Sequence, residues 1–309
     1  AEVRRPVPCL TNPRGGMAQT RGGHINRGYS LLTRVQAMCL DGHLLLEQVA
    51  RSRSGRFFNF NGTAGLWRKS CIQESGGWQH DTLTEDLDLS YRAQLEGWKF
   101  VFLTDVVTPA ELPVDMNGFK SQQHRWTKGS IQTCKKLLPR IWRSRLPLAI
   151  KIEATGHLTS NFAYLLLACL CVLLHPSLGG PQSGWLRTFL LDVPIFFTAS
   201  LSVAVFYICA QRELHPHTWM KEILLLPPLL APGVGPSLNP PRAALRVLRV
   251  RPDLSEWRPM HGHGFVNAIP LVSGVPELSL SLPVGRDFDY SFRPHDAGTY
   301  MYHCHFEDV

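Results

Sequence analysis

Residues 84–107 read TEDLDLSYRAQLEGWKFVFLTDVV, and this stretch decides the fold of the first half of the chain. Thr84 is a residue type that caps helices, and Glu85 and Asp86 follow it in the first turn, where the helix dipole favours acidic side chains. Gly97 is a typical stop signal. The pattern predicts a helix from Glu85 to about Glu96, followed directly by a strand from Lys99 to Val107.

The sequence before this stretch gives weaker signals. Residues 1–28 are rich in Gly, Arg and Pro and predict a loop or the edge of a strand. Residues 29–50 carry apolar side chains at three- and four-residue steps, which predicts a helix. Residues 57–60, Phe-Phe-Asn-Phe, predict a short strand within Arg56–Leu66, and residues 61–65 predict the turn after it.

A second motif, Gln122-Gln123-His124-Arg125-Trp126, lies downstream in a helix predicted over Asn117–Leu138 and ending before Pro139. Sugar transfer from a nucleotide diphosphate needs a base for the acceptor hydroxyl and groups that stabilise the departing diphosphate. Asp86 suits the first role. Gln122, Arg125 and Trp126 stand at i, i+3 and i+4, so one helical face presents an amide, a guanidinium and an aromatic ring.

This spacing predicts that Asp86 lies within reach of Gln122, Arg125 and Trp126, in one cleft. Two simpler interpretations stay open. Thr84-Glu85-Asp86 could be a helix cap alone, and Trp126 could be an aromatic residue of the core or of an interface.

The two motifs in this order, followed by a basic stretch and apolar segments, resemble the processive family 2 glycosyltransferases, which include the cellulose synthases. The resemblance covers about residues 12–240. It implies a partial GT-A-like α/β domain over residues 1–150, with Asp86 and Glu85 as catalytic residues. It also implies a nucleotide sugar and a polysaccharide acceptor as partners. Phe58 to Gly65 resembles the family's loop near the acceptor. The residues implied in donor or acceptor binding are Gln122, Arg125, Trp126, Thr84, Asn61, Gly62 and Thr63.

The family also carries an Asp-x-Asp site for Mg²⁺ or Mn²⁺, and no such pair stands upstream of Thr84. Asp86-Leu87-Asp88 has the spacing, but Asp86 already belongs to the base motif. The sequence therefore predicts the acceptor half and the catalytic base of such an enzyme, without its donor half. We expect sugar transfer by the chain alone to be incomplete.

Apolar segments at 154–174 and 188–211 are long enough to be transmembrane helices, and a third at 223–241 is interrupted by six prolines. A basic cluster precedes them: Lys128, Lys135, Lys136, Arg140, Arg143, Arg145 and Lys151. Beside apolar segments such a cluster indicates the cytoplasmic side of a membrane. It does not indicate nucleic acid, because aromatic residues are not interleaved with it.

The predicted localisation is therefore a multi-pass membrane protein whose glycosyltransferase part is cytoplasmic, with residues 175–187 facing the other side. A pair of buried helices is the alternative. The eight cysteines form no CxxC pair and do not resemble a disulfide framework, and no signal peptide is visible.

A different chemistry ends the chain, after a linker at 242–259. Cys304 stands between two histidines, and a thiolate beside imidazoles is a donor set for copper. Residues 260–309 resemble part of a multicopper oxidase of the laccase-like group, a partial β-sandwich of cupredoxin fold. By that resemblance the copper ligands are His261, His263, His303, Cys304 and His305. Histidines without metal are the alternative, and we expect no oxidase activity from this segment alone.

The function predicted overall is a membrane-bound glycosyltransferase that extends a polysaccharide. The alternatives are a copper-dependent oxidoreductase and an inactive chimeric fragment. Bound copper would favour the former alternative, and turnover of a nucleotide sugar would favour the main prediction.

Overall fold

A computed structural model describes residues 7–163, 166, 193–226, 229, 260–262 and 302–304. The chain divides into two compact units, Ala1–Leu248 and Arg249–Val309. The predicted copper segment, apart from two short strands, and the predicted loop at 175–187 lie outside the described residues. So do most of the third apolar stretch, the linker at 242–259, nearly all of the second half of the first predicted span and residues 188–192 of the second.

The first unit contains a three-stranded sheet in the order β2-β1-β3. Strand β1 covers Gly15–His24, β2 covers Gly65–Trp67 and β3 covers Lys99–Ala110. β1 runs antiparallel to β2, with Ala18 opposite Leu66, and parallel to β3, with Gly15 opposite Lys99 and His24 opposite Ala110. The parallel pair is joined through the helices between them, which is the arrangement of an α/β fold.

The prediction of a loop or strand edge for residues 1–28 was wrong, because β1 is the central strand. Its glycines had favoured a loop, but they serve close packing. A Cβ atom at Gly16 would lie 2.7 Å from Sγ of Cys71, and one at Gly23 would lie 2.6 Å from Cγ1 of Val107. A larger side chain would therefore clash with Cys71 at position 16 and with the neighbouring strand β3 at position 23.

The helix predicted over 29–50 is confirmed. Helix α1 spans Leu31–Gly42, continues through a π-helical segment at His43–Gln48 and ends as α2, Val49–Arg53. Ser30 caps α1: its hydroxyl oxygen accepts a hydrogen bond from the backbone N–H of Thr33 at 3.1 Å. The Thr33 hydroxyl accepts one from the Ser30 N–H at 2.9 Å, which completes a capping box.

The strand predicted at Phe57–Phe60 is not formed, although the segment is extended and its rings are buried. Its backbone is bonded to side chains of a helix instead of to a strand. The N–H of Phe58 donates to Oε1 of Gln94 at 3.2 Å, and Nε2 of Gln94 donates to the Phe58 carbonyl at 2.8 Å. The N–H of Phe60 donates to Oγ of Ser90 at 2.8 Å. The actual strand, β2, begins later, at Gly65.

The stretch 84–107 folds as its sequence predicts. After helix α3, Lys69–Glu74, helix α4 spans Glu85–Leu95 and strand β3 starts at Lys99. Gly97, between them, has φ +87°, a conformation that glycine adopts without strain. Thr84 stands at the N-cap, but its side chain makes no capping hydrogen bond. The predicted N-cap position of Thr84 is therefore confirmed, and the hydrogen bond that a capping side chain usually makes is absent there.

Helix α5 is longer than predicted, because it spans Met116–Arg143 and runs through Pro139. A proline in a helix interior removes a hydrogen bond and costs about 3 kcal/mol. Pro139 is exposed, whereas Leu137 and Ile141 on either side of it are buried at 2% and 0% exposure. Burial of two such side chains contributes roughly 1.5–3 kcal/mol each, which is enough to carry the helix past the proline.

Helix α4 contributes to the two largest apolar clusters among the described residues. Ala93 packs with residues of the sheet and the Phe58–Phe60 segment, such as Met17 and Phe100. Leu87 and Tyr91 pack with residues of α5 and of α6, Leu148–Thr159. Helix α4 is therefore held between the sheet and the α5–α6 pair.

Helix α7, Val193–Leu214, and the short helix α8, Trp219–Glu222, close the described part of the first unit. A buried carboxylate joins α7 to α1: Asp41 accepts hydrogen bonds from Arg27 at 2.5 Å and from Nε2 of Gln211 at 3.1 Å. Burial raises the pKa of Asp41, but His24, Arg27 and Gln211 together lower it below its ordinary value. Among the described residues, no helix is both long enough and apolar enough to cross a membrane.

Candidate active site

Asp86 lies in the first turn of α4, where its side chain is half-buried. Removal of water from its carboxyl group, together with the negative charge of the neighbouring Glu85, raises the pKa of Asp86 to about 7. The Leu87 N–H, which donates to Oδ1 of Asp86 at 2.8 Å, and the positive charge of Arg125 act in the opposite direction. A carboxyl group with this pKa can accept and release a proton near neutral pH.

The turn at residues 61–65 approaches Asp86 from the side of the sheet. Gly62 has φ +77°, and a Cβ atom added there would lie 3.1 Å from Oδ2 of Asp86. A side chain at residue 62 would therefore be strained in its backbone and would crowd the carboxyl group. Asn61 and Thr63 flank this glycine, so the predicted acceptor loop and Asp86 do come together.

Gln19, a residue that the sequence did not single out, holds this turn in place. Its side chain is 1% exposed. Its Nε2 donates to the carbonyl oxygens of Thr63 at 2.9 Å and Ala64 at 3.0 Å, and its Oε1 accepts from the N–H of Asn61 at 3.1 Å. Nothing in the sequence marks a glutamine on a strand for this role, because its partners are 42–45 residues away.

Gln122, Arg125 and Trp126 lie on α5, as predicted. Gln122 is half-buried and Arg125 is exposed, while Trp126 is 37% exposed. The charge of Arg125 acts on the carboxyl group of Asp86. The structure thus brings Asp86 together with the turn and within the electrostatic influence of Arg125. Arg125 and the Trp126 ring are accessible to a ligand. That Gln122 and Trp126 line one cleft with Asp86 stays a prediction.

Helix α5 touches the Thr84 turn directly through residues that the sequence did not single out. The N–H of Leu83 donates to Oε1 of Gln132 at 2.9 Å, and the hydroxyl oxygens of Thr84 and Thr133 are 3.4 Å apart. Gly129 faces Thr84 at the same contact. A glycine inside a helical pattern is about 1 kcal/mol less favourable than alanine. The presence of Gly129 within the predicted helix was therefore the feature of the sequence that could have indicated a packing role.

Asp88 does not join Asp86 in a metal site. It is fully buried and accepts a hydrogen bond from Nε of Arg92 at 2.8 Å, and its Oδ1 forms an ion pair with Nζ of Lys136 at 3.0 Å. Arg92 in turn donates to the carbonyl oxygens of Ser75 and Gly77. Among the described residues, no group of three or more His, Cys, Asp or Glu side chains is arranged to hold a metal ion. The residues that are described therefore do not fit the Mg²⁺ or Mn²⁺ site that the resemblance implies.

The second unit contributes two short strands to the description, β4 at Met260–Gly262 and β5 at Tyr302–Cys304. They pair antiparallel, with His261 opposite His303 and Met260 opposite Cys304. The backbones of these residues thus meet as the copper hypothesis requires. The copper-ligand roles stay predictions, and His263 and His305 lie outside the described residues.

Comparison with known proteins gives the family. A family model described as glycosyl transferase family group 2 matches residues 2–210. Probable glucomannan 4-beta-mannosyltransferase 4 of Oryza sativa subsp. japonica is 39% identical over 162 residues, 52% of this chain and 29% of that protein. Glucomannan 4-beta-mannosyltransferase 7 of Arabidopsis thaliana is 44% identical over 143 residues, 46% of this chain and 26% of that protein. Probable glucomannan 4-beta-mannosyltransferase 10 of Arabidopsis thaliana is 35% identical over 232 residues, 70% of this chain and 42% of that protein.

The chain thus spans between 26% and 42% of the length of these curated relatives. Among solved structures, a mannosyltransferase from Pyrobaculum calidifontis in complex with GDP-Man and Mn²⁺ aligns with a TM-score of 0.47 at 14% identity, covering 80% of this chain and 57% of that one. The family model covers more than half of the chain, and it contains both the Thr84-Glu85-Asp86 motif and the Gln122–Trp126 motif. The chain therefore belongs to glycosyl transferase family group 2.

Proposed function

We propose that the chain takes part in transferring a mannosyl residue from a nucleotide-diphosphate donor to a growing polysaccharide of the glucomannan type. The observation that carries this proposal is the position of Asp86, whose carboxyl group lies against Gly62 of the acceptor-like turn and within the field of Arg125. The names of the curated relatives supply the sugar.

In the proposed reaction an acceptor hydroxyl oxygen attacks the anomeric carbon of the donor, and its proton passes to the carboxylate of Asp86. The bond from the anomeric carbon to the diphosphate breaks, and the diphosphate leaves with the bonding electrons. Gln122 and Arg125 bind the diphosphate, since a planar guanidinium pairs well with phosphate oxygens. The exposed ring of Trp126 packs against a sugar. Glu85 raises the pKa of Asp86, which keeps that carboxyl group a useful base near neutral pH.

A segment exchange tests this function while allowing for the limited length of the chain. The matching segment of glucomannan 4-beta-mannosyltransferase 7 of Arabidopsis thaliana is replaced by that of this chain, and transfer from GDP-mannose, UDP-glucose and UDP-galactose to mannan oligosaccharides is measured. We expect transfer from GDP-mannose. Replacing Arg125 with alanine should lower kcat/KM for the donor at least about tenfold, because one charge-assisted contact contributes roughly 1.5–3 kcal/mol.

The matched control is Arg53→Ala, which removes an exposed arginine from the end of α2. It should leave kcat/KM unchanged. A folded exchange protein that transfers no mannose, or an Arg125→Ala variant as active as Arg53→Ala, contradicts the proposed function.

We further propose that the corner between α5 and α6 lies on an anionic membrane surface. Three apolar side chains are exposed there: Trp142 at 46%, Leu148 at 62% and Ile152 at 58%. Exposed Arg143 and Arg145 lie between them in the sequence. Apolar side chains beside basic ones are typical of segments that insert shallowly among anionic headgroups. This placement keeps the candidate active site on the side of the nucleotide sugars.

Binding to vesicles tests the membrane proposal. The chain should sediment with phosphatidylcholine vesicles that contain phosphatidylserine, and added salt should weaken this binding. The double substitution Leu148→Ser and Ile152→Ser should reduce binding at least about tenfold, since each buried side chain contributes roughly 1.5–3 kcal/mol. Leu31→Ser removes an equally exposed leucine from α1 and should have no effect. Equal loss of binding in both variants would show that the membrane contact lies elsewhere.

A further inference from the structure

Gly129 occupies the point where α5 comes nearest to the turn that carries the candidate base. A Cβ atom added to Gly129 would lie 2.5 Å from Cγ2 of Thr84, 2.7 Å from its Oγ1 and 2.7 Å from its backbone nitrogen. All three distances are shorter than van der Waals contact. The last of them involves backbone, so a change in the Thr84 side-chain rotamer cannot relieve it.

Two polar contacts, one turn further along α5, hold the Thr84 turn against this helix. Gln132 accepts the hydrogen bond of the Leu83 N–H, and the Thr133 hydroxyl faces that of Thr84. Thr84 and Thr133 are buried, at 9% and 0% exposure. The Leu83 backbone just before the N-cap and the Thr84 side chain itself are therefore both held by α5, and that side chain makes no capping hydrogen bond.

The position of Asp86 follows from this contact. Asp86 is two residues beyond Thr84 and lies in the rigid first turn of α4. On its other side it meets Gly62, where a Cβ atom would come within 3.1 Å of Oδ2. Its carboxyl group thus lies where two glycines, Gly62 and Gly129, allow the acceptor-like turn and α5 to close in.

We propose that Gly129 is a positioning residue for Asp86: its lack of a side chain lets the Thr84 turn close onto α5 and keeps water away from the Asp86 carboxyl group. Any side chain at residue 129 pushes the turn outward and opens the space between α5 and α4. This inference deepens the proposed function and rests on it, since it concerns the same base.

The effect on Asp86 has a definite sign. The groups that act on its carboxyl are Glu85 on its own helix, which raises the pKa, and Arg125 on α5, which lowers it, while removal of water is the largest influence and raises it. Moving the turn away from α5 admits water and also weakens the influence of Arg125. Because hydration is the larger of the two changes, the pKa of Asp86 falls towards its ordinary value.

The test measures the carboxyl group itself, without substrate. The chain is labelled with ¹³C at aspartate carboxyl groups, and the Asp86 resonance is assigned by its loss in Asp86→Asn. We expect titration near pH 7 in the original chain and at least about one pH unit lower in Gly129→Ala. Gln132→Met keeps the side-chain length but removes the acceptor for Leu83. Gln132→Met should lower the pH at which Asp86 titrates, but by less than Gly129→Ala does. It provides the test if Gly129→Ala folds poorly.

The matched control is Gly156→Ala on α6, because a Cβ atom there meets nothing within 4 Å. It should leave the Asp86 titration unchanged. In the segment exchange described above, Gly129→Ala should also lower kcat at least about tenfold and move the acid limb of the pH profile to lower pH. Gly156→Ala should do neither.

A titration of Asp86 that stays near pH 7 in folded Gly129→Ala and in Gln132→Met overturns the inference. The outcome is separable from that of the proposed function. If the carboxyl group shifts as expected but no variant transfers sugar, the positioning role stands and the function is wrong. If sugar is transferred while the carboxyl group keeps its titration, the function stands and the positioning role is wrong.

Discussion

Replacing Asp86 with asparagine is expected to lower the rate of sugar transfer by about 10²–10⁴-fold, because an amide cannot take the proton of the acceptor hydroxyl. The exchange protein that carries the unsubstituted segment should lose rate as pH falls below about 7, the pKa of Asp86, since protonation removes the base. Glu85→Gln should move this acid limb to lower pH, because the charge of Glu85 raises the pKa. Initial rates in the segment exchange, measured across pH, check both expectations.

Asp86→Asn is also expected to stabilise the fold at alkaline pH. A folded-state pKa of about 7 lies above the ordinary 3.8. The folded chain therefore binds a proton more tightly than the unfolded chain, and the stability this contributes is lost as pH rises from about 4 through about 7. At pH 8 the ionised Asp86 costs at most on the order of 4 kcal/mol, which Asp86→Asn avoids.

Urea denaturation at a series of pH values measures this difference. The free energy of unfolding of Asp86→Asn should exceed that of the original chain at pH 8, and the gap should close towards pH 4. Asp105→Asn makes the same chemical change at an exposed position and should show no gap at any pH. A gap that does not vary with pH would mean that Asp86 is not desolvated in the folded chain.

Replacing Asp88 with asparagine is expected to destabilise the fold by about 3–5 kcal/mol, the cost of removing one member of a buried ion pair. Arg92, 4% exposed, would keep its positive charge without its carboxylate. Lys136 would retain its contacts with Asp81 and Gln79. Because Arg92 also bonds to the carbonyl oxygens of Ser75 and Gly77, the loop before the Thr84 turn should loosen as well.

Asp81→Asn is the matched control, because Asp81 pairs with the same lysine but is 47% exposed. An exposed pair contributes about 0–1 kcal/mol, so the free energy of unfolding should change little. Neither variant should alter the affinity of the chain for Mn²⁺. Equal stability of the two variants, or a loss of Mn²⁺ binding confined to Asp88→Asn, would assign Asp88 a role as metal ligand after all.

Several elements were predicted correctly because their signals are local. The acidic first turn of α4 and the glycine at 97 both act within a few residues of that helix. The helix over 29–50 was predicted from its apolar spacing, and the capping box that the structure shows at Ser30 and Thr33 is again made by near neighbours. Such signals stay valid whatever the rest of the chain does.

The errors occurred where distant partners outweigh local preference. The glycines of β1 suggest a loop until Cys71 and Val107 are seen to pack against them. Phe57–Phe60 has the pattern of a strand, yet Gln94 and Ser90 take the backbone bonds that a neighbouring strand would have supplied. Pro139 stays within a helix because Leu137 and Ile141 are buried against other elements.

For the candidate site, the sequence by itself determined the chemical groups: a carboxylate at the start of a helix, and an amide, a guanidinium and an indole on one face of another. Only the tertiary structure decided that Asp86 and Asp88, two residues apart, lie in different environments. Asp86 is desolvated beside a like charge, so its pKa rises, whereas Asp88 is buried between two cations. The tertiary structure also revealed the roles of Gly129 and Gln19, because the segments that these residues contact are remote in the sequence. The free energy of burying the Asp86 charge likewise depends on atoms that meet only when remote segments pack together.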